Sequence, residues 1–377
     1  MNKYIFILYL TFLLFLFQGC KEKQSADPNS IKVDLNNRQE ISFFDIFSKI
    51  DIISLETNDS SLIKTISKLI VNNDTLYIHD YNMSKVLAFN KDGNYLYQIN
   101  NRGMGPGEYT STSDFSIFND SLSILSAIDN KLYIYDKKNG EFIRDIPLPL
   151  IKGAYKSFTD LDDKTITFWT YDYDNRLKIY SKSTSEIINE QFPEKDNIFT
   201  NIGIEVFPYN RHFIRVYDNR VYKITGNGEI IEAYKWDFGK LNNTPKMIEN
   251  APSAKSRDEF MELIGRLNAS EIVNYYFTSG GGNSQYAYTM LNRKNKLLNI
   301  FHHKSSKKTY IFDQTLEKSK LYPLFWSDDY MIGYIPPIVS DFNEIIPDDI
   351  LDEENIQIKR NLSEYDNPIL VKYYFKM

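Results

Sequence analysis

Cysteine is nearly absent: Cys20 is the single thiol in 377 residues. One cysteine builds neither an internal disulfide framework nor a thiolate zinc cluster. Basic excess is absent as well. Lys+Arg 44 stand against Asp+Glu 50, a formal net charge of −6, so no basic footprint displaces counterions from phosphates and no nucleic acid is expected as partner. Histidine is scarce, with only His79, His212, His302 and His303. On a strand the adjacent pair would point to opposite faces, which is poor zinc geometry. No Gly-x-Ser-x-Gly elbow and no Gly-Lys-Ser/Thr phosphate loop occurs, so the sequence displays no catalytic constellation.

Aromatic side chains, by contrast, are abundant: Tyr 28, Phe 25 and Trp 3, or 15% of the chain. Such residues fit pleated, half-buried surfaces and point to β structure. Length alone favours two or three domains, although barrels and propellers run larger as one unit.

The apolar run from Tyr4 to Phe17, about 14 residues, has signal-peptide length and is short for a permanent span. It ends in Phe17-Gln18-Gly19-Cys20. This resembles a bacterial lipobox, with Phe17 where Leu is usual. The resemblance implies that Cys20 becomes the acylated first residue of the mature protein, with the membrane as a partner through that lipid. Several acyl chains, at about 0.8 kcal/mol per buried CH₂, anchor firmly. The expected layout is a signal over 1–20, a polar tether over 21–40 and the folded body over 41–377.

The body repeats. In four segments an apolar strand turns at Asn or Asp into a second strand that usually ends at Asp. A basic residue opens the third strand, and a polar or Gly-containing turn leads to the fourth. The basic positions Lys85, Lys131, Arg176 and Arg220 lie 46, 45 and 44 residues apart. The turns Asp92-Gly93, Asn139-Gly140 and Asn227-Gly228 suit tight hairpins that need positive φ. Four strands in about 45 residues is the size of a propeller blade, which buries both faces only against neighbours. Ile204 to Phe207 reads as the opening strand of the fourth unit. Lys308 to Phe312 reads as the third strand of a fifth, preceded by Leu297 to Phe301. Residues 240–268 break the alternation. Ser256 with Glu259, and Phe260, Leu263, Ile264 and Leu267 at helical spacing, predict an inserted helix over 253–268, with the fifth blade opening near Ile272. A sixth blade is expected from both chain ends, combining Ile52 to Leu55 with Tyr322 to Tyr334 and Pro368 to Phe375. Ser42 to Ile50 reads as a short lead-in helix, and the acidic stretch Asp341 to Glu354 as a surface excursion. The predicted fold is an all-β, six-bladed propeller of four-stranded blades closed by N- and C-terminal strands, with a short helical insertion.

Arg102-Gly103-Met104-Gly105-Pro106-Gly107-Glu108-Tyr109, after the first unit, resembles the signature of TolB-like six-bladed β-propeller lipoproteins of Bacteroidota and is similar to the interblade loop of NHL repeats. Leu55-Glu56-Thr57 and Asp366-Asn367-Pro368 complete the resemblance. It implies a fold and a cell-envelope, outer-membrane location. It implies no activity, since fold does not dictate function.

Four groups are candidates for chemistry. Arg102, Gly103, Gly105, Pro106, Gly107, Glu108 and Tyr109 read as a structural crossover, since no helix follows to make a phosphate loop. The strand-end carboxylates Asp80, Asp129, Asp172 and Asp218 recur in register. They read either as a divalent-cation site in the funnel or as turn chemistry in which Asp accepts backbone N–H groups. Trp169, Tyr171, Tyr173, Trp326 and Tyr330 could stack a flat ligand or pack between blades. Gly280 to Ser284 reads as a hairpin connector. The function these support is a membrane-anchored binding or scaffold module for a protein, peptide or glycan, with no resident cofactor. The alternatives are a propeller lyase or hydrolase using a divalent cation, and an assembly subunit docking through the inserted helix.

Overall fold

The computed structural model describes Asp27 and residues 29–193, 211–215, 218–250, 254–273, 281–335 and 345–376. The signal segment, Cys20 and the strand expected at 204–207 lie outside the described residues. Residues 1–30 and 31–377 form two units, and the second holds the fold.

Among the described residues there are six four-stranded sheets. The first comprises β3 (Lys68–Asn72), β4 (Thr75–Asp80), β5 (Lys85–Asn90) and β6 (Tyr95–Ile99). The second holds β7 (Asp114–Phe118), β8 (Ser121–Ser126), β9 (Lys131–Asp136) and β10 (Phe142–Pro147). The third holds β11 (Tyr155–Asp160), β12 (Thr165–Thr170), β13 (Leu177–Ser181) and β14 (Glu186–Gln191). In the fourth, β15 (His212–Ile214), β16 (Arg220–Ile224) and β17 (Ile230–Asp237) are joined at the edge by β1 (Ser30–Lys32). The fifth holds β18 (Gly281–Gly282), β19 (Tyr286–Arg293), β20 (Lys296–His303) and β21 (Thr309–Phe312). The sixth orders β22 (Pro323–Trp326), β23 (Tyr330–Ile335) and β24 (Ile369–Phe375) beside β2 (Phe47–Ile53). This is a six-bladed propeller, with strands from both chain ends closing the sixth blade.

Local chemistry sets these hairpins. Asn73 and Asp74 have φ of 48° and 60° between the paired residues Asn72 and Thr75, the two-residue turn whose twist matches the strands. A register shift recurs between third and fourth strands, at Ala88/Phe89, Phe142/Arg144, Ile179/Tyr180 and Val221/Tyr222. Such bulges increase the twist of the outer edge.

Both faces of a blade are apolar because both are covered. In the first blade Leu76, Ile78, Leu87 and Phe89 pack with Ile332 and Leu370 of the sixth. The alternate residues Tyr77, Val86 and Ala88 pack with Phe115, Leu122 and Ile124 of the second. Burial of this kind is worth about 25 cal/mol per Å² and drives the ring closed. Innermost strands are also latched. Lys68 Nζ lies 2.8 Å from Asp114 Oδ1, while Asp114 Oδ2 accepts the Phe158 N–H at 2.9 Å, tying β3, β7 and β11.

Several sequence expectations shift. The lead-in helix shrinks to one turn, Phe43–Asp45, capped by Ser42. From Phe47 the chain is β2, because its apolar alternation pairs with β24. Lys308–Phe312 lies on the fourth strand of the fifth blade, not the third. The third strand is β20, so Leu297–Phe301 is third rather than second. Its start at Lys296 lies 76 residues after Arg220, one 44-residue period plus a 32-residue excursion. That excursion carries a short helix α1 (Pro245–Glu249) and α2 (Arg257–Ala269), the latter capped by Ser256. Among the described residues the blade opens at Gly281, so Gly281 and Gly282, read as part of a hairpin connector over Gly280 to Ser284, form its first strand, while Val273, near the expected start at Ile272, bridges Asn242. Residues 31–40, expected as tether, lie on the propeller, with Val33 and Leu35 buried and the Val33 N–H bonded to Asp237 O. In the acidic excursion Ile345, Ile346 and Ile350 are buried. Helix α3 (Glu353–Asn361) follows, and its Asn355 accepts the Ile52 N–H at 2.6 Å and donates to Ile50 O at 3.2 Å. An amide side chain thus covers the free edge of β2, the edge that would otherwise invite pairing with another chain.

Candidate functional site

In each blade the turn from second to third strand, and the crossover from outermost strand to the next blade, leave the sheet at the same end. They share one face, and the strand-end aspartates stand on it. Asp80 is buried; its Oδ2 accepts the Lys64 and Thr65 amides at 2.6 and 3.3 Å, and its Oδ1 accepts that of Met83. Asp129 accepts the Thr110 N–H at 2.9 Å and hydroxyl at 2.6 Å, and the Tyr133 hydroxyl at 3.1 Å. Burial works to raise the Asp129 pKa, but these bonds outweigh it and hold the carboxyl below the ordinary range. Asp172 accepts the Asp174 N–H at 3.0 Å and Lys178 Nζ at 2.8 Å. Burial again opposes, and the Lys178 contact leads the interactions that keep this carboxyl low. Asp218 takes the Arg220 Nε and Nη2 at 2.9 and 2.8 Å and the Tyr222 hydroxyl at 2.8 Å. Asp80 and Asp129 pin the crossover arriving from the previous blade; Asp172 and Asp218 hold their own turns. Among the described residues no group of three or more His, Asp or Glu is placed to hold a metal ion.

The glycine-rich crossover joins β6 to β7. Tyr109 is fully buried and donates to Ser84 O at 3.0 Å and Ile99 O at 3.1 Å. Arg102 and Tyr109 form a β-bridge, and Glu108 folds back to accept the Gly105 N–H at 2.8 Å. The Glu108 carboxyl fills the space a Cβ at Gly103 would need. Gly107 has φ +77°, and the Phe142 ring would stand 2.8 Å from its Cβ. Pro106 and Met104 form the tip, where Met104 is 98% exposed.

The tryptophans lie inside. Trp169 packs on Phe192 and Phe213, and Trp326 on Tyr288, Phe301 and Phe375, with Gly281 flat against the indole. Tyr330 is half-buried under Lys372 Nζ, 3.9 Å from its ring centre. The histidines are engaged too. His79 Nε2 lies 2.7 Å from Thr112 Oγ1, and burial, helped by Lys68, pushes its pKa down to about 3. His302 Nδ1 lies 2.9 Å from Thr309 Oγ1.

Of the candidate aromatics, Tyr171 is exposed, and what the sequence reading missed are its apolar neighbours. Tyr81, Met83, Met104, Ile128, Leu150 and Tyr171 are all exposed, and all sit on this one face, in the turns or crossovers of the first three blades. Tyr81 and Tyr171 approach closely enough that, after burial, the Tyr81 phenol is the next cause raising the Tyr171 pKa. Lys156 Nζ lies 5.6 Å from the Tyr171 ring centre, and the buried Arg176 guanidinium 4.3 Å from that of Tyr173. The available signal was apolar side chains inside polar turns, as in Asp80-Tyr81-Asn82-Met83-Ser84.

Two solved structures share this architecture. A protein of Bacteroides fragilis NCTC 9343 described as exported is 19% identical, with a TM-score of 0.70 over 93% of this chain and 99% of its own. A member of the DUF4221 family from Bacteroides vulgatus ATCC 8482 is 11% identical, with a TM-score of 0.53 over 90% and 99%. No curated protein matches the sequence. The profile of the domain of unknown function DUF4934 matches residues 28–374, and the chain belongs to that family.

Proposed function

We propose that this protein is an exported, envelope-anchored binding module that captures a polypeptide on its crossover face. The carrying observation is the set of exposed apolar side chains gathered there, Tyr81, Met83, Met104, Ile128, Leu150 and Tyr171. Turns in water rarely expose such groups together unless a partner covers them. Methionine adapts to varied apolar partners, and tyrosine adds rigid contact area. Sugar recognition relies on aromatic planes; here unbranched and branched aliphatic groups outnumber the two tyrosines, which favours a peptide over a glycan. The strand-end aspartates support the same reading, since their oxygens already hold turns and crossovers and act as scaffold for the face. Export is supported by the apolar segment at residues 4–17 and by the exported relative in fold, and anchorage by the lipobox resemblance at Cys20.

The test pairs the wild type with a Tyr81→Ser, Met104→Ser, Ile128→Ser variant in affinity capture from solubilised membranes. A partner held by the wild type and lost by the variant is the expected result. Retention by the variant, or glycan-array binding without any protein partner, overturns the proposal.

A further inference from the structure

The seam between the fourth and fifth blades is not filled. In two other seams the innermost strand supplies a ring: Phe115 of β7 packs toward the first blade and Phe158 of β11 toward the second. The innermost described strand of the fifth blade, β18, is Gly281-Gly282. A Cβ at Gly281 would strike the Trp326 indole, and one at Gly282 would meet Tyr286 O at 2.5 Å, so no side chain can fill the seam from this strand. A cavity of about 50 Å³ remains, walled by Ile214, Val221 and Tyr234. It lies at the end of the blades opposite the crossover face, where Asn283 turns the first strand into the second and Lys304 follows the third.

The polar lining is rich in donors. Lys304 is exposed at the mouth, and its Nζ donates to Asn283 O. Among the described residues no carboxylate lies within ion-pair distance of this ammonium. Asp328 acts on it only from farther away, and its Oδ1 accepts the Ser284 N–H at 2.8 Å. The Tyr234 hydroxyl has no hydrogen-bond partner among the described residues, and burial pushes its pKa up, which keeps it a neutral O–H donor. His212 adds an imidazole. Lys223 pairs with His212 in register and so places a second ammonium on the same face of the fourth blade. No carboxylate lines the cavity among the described residues.

Donors above an aliphatic wall fit an acceptor-only group on a short apolar body. One water takes roughly 10–15 Å³ of such space, so the cavity has room for about four or five heavy atoms. A dry hydroxyl without a partner is costly, and a bond to a charged acceptor is about twice as strong as one to a neutral acceptor. We infer that the seam between the fourth and fifth blades binds a short aliphatic carboxylate. Its oxygens take the Lys304 ammonium and the Tyr234 hydroxyl, and its alkyl end lies against Ile214 and Val221. The site stands at the other end of the ring from the polypeptide face and does not depend on that reading.

The experiment is a ligand-observed NMR titration of the purified full-length protein with propionate, propionamide and inorganic phosphate. Propionamide keeps the shape of propionate and removes the charge; phosphate keeps a charge and removes the alkyl end. Propionate is expected to bind at least about tenfold tighter than propionamide, the scale of one charge-assisted bond, and tighter than phosphate. Lys304 is exposed, so Lys304→Gln leaves the seam packed and should abolish the preference for propionate over propionamide. Tyr234→Phe should weaken propionate several-fold. Propionate should also raise the melting temperature of the wild type and not that of Lys304→Gln. Equal binding of propionate and propionamide, tighter binding of phosphate, no saturable binding of propionate, or a preference that survives Lys304→Gln overturns the inference. The Tyr81→Ser, Met104→Ser, Ile128→Ser variant should bind propionate as the wild type does, so failure of this site and failure of the polypeptide face are read separately.

Discussion

The backbone N–H of Asn367 donates to the Thr57 hydroxyl at 2.9 Å, across 310 residues of sequence. The Asn367 side chain extends the contact. Its Oδ1 accepts the Ile63 N–H at 2.7 Å, and its Nδ2 donates to Glu56 O at 2.8 Å and Ser61 O at 2.9 Å. Glu56 in turn accepts the Tyr95 N–H at 2.8 Å and donates its own N–H to Gly93 O. Two short motifs that looked like unrelated family markers, Leu55-Glu56-Thr57 and Asp366-Asn367-Pro368, are the two halves of one clasp at the junction of the sixth and first blades.

Replacing Asn367 with Ala should therefore open the clasp. Asn367 is buried, so its removal strands one amide and two carbonyls, each costing about 1–3 kcal/mol when it stays dry. The expected loss is about 3 kcal/mol in a denaturant titration. Asn367→Asp keeps the acceptor for Ile63 and should recover part of it. A loss no greater than that of an exposed Asn→Ala control would show the clasp to be dispensable.

The crossover glycines make a sharper case. At Gly107 a side chain meets both a positive φ and the Phe142 ring. Gly107→Ala should cost at least about 2 kcal/mol, one part for the left-handed backbone and one for the displaced ring. Gly226 has nothing within 4 Å of a built Cβ, so Gly226→Ala should change stability by less than about 0.5 kcal/mol. Matching melting shifts for the two variants would contradict this account.

Blades one and two were legible because strand alternation and turn chemistry agree there: Asn73-Asp74, Asp92-Gly93 and Asn139-Gly140 mark where hairpins close. The fifth blade misled for a physical reason. Lys308-Thr309-Tyr310-Ile311-Phe312 has the composition of a third strand, but the turn that opens the true third strand is Lys294-Asn295, with φ of 53° and 57°, a left-handed pair without glycine. Strand β1 is three residues long and too short to carry a period. The aspartates were legible in register, but whether they face a ligand or their own turns depends on where the crossovers run. The exposed apolar face was not legible, because Tyr81 or Ile128 in a sequence looks the same whether it is covered or bare.

Acid should weaken the fold before the carboxylates titrate. His79 is buried and neutral, with a native pKa of about 3 against about 6.5 in the unfolded chain. Between those values the unfolded chain binds more protons, so stability is full above about pH 6.5 and declines as pH falls, by up to about 1.4 kcal/mol per unit. His302, also lowered by burial, acts in the same direction. Below about pH 4 the depressed carboxyls of Asp129 and Asp172 add their own loss as pH falls toward their native values. His79→Gln removes the titrating group and keeps a partner for Thr112. Its denaturation free energy should therefore vary less steeply between pH 6.5 and 4 than that of the wild type, and an unchanged slope would assign the effect elsewhere.

The N-terminal strap offers the last measurement. After β1 the chain passes the fifth blade before entering the sixth as β2, and Arg293 holds it on the way. The Arg293 side chain is buried; Nη1 donates to Leu35 O at 3.2 Å, Nη2 to Asn36 Oδ1 at 3.0 Å, and Nε to Glu271 O at 2.9 Å. One guanidinium thus joins the strap, the helical excursion and β19. Lysine cannot span three such acceptors, because its donors radiate from one nitrogen. Arg293→Lys should leave the blades folded and release the strap, speeding hydrogen exchange at Val33 and Leu316, whose amides bond to Asp237 O and Ile41 O. Amides in β4 and β8, which lie in the first and second blades, should keep their protection. If exchange accelerates in β4 and β8 as well, the strap is part of the propeller's cooperative unit rather than a band around it, and a pull on the N-terminus would be borne by the whole ring.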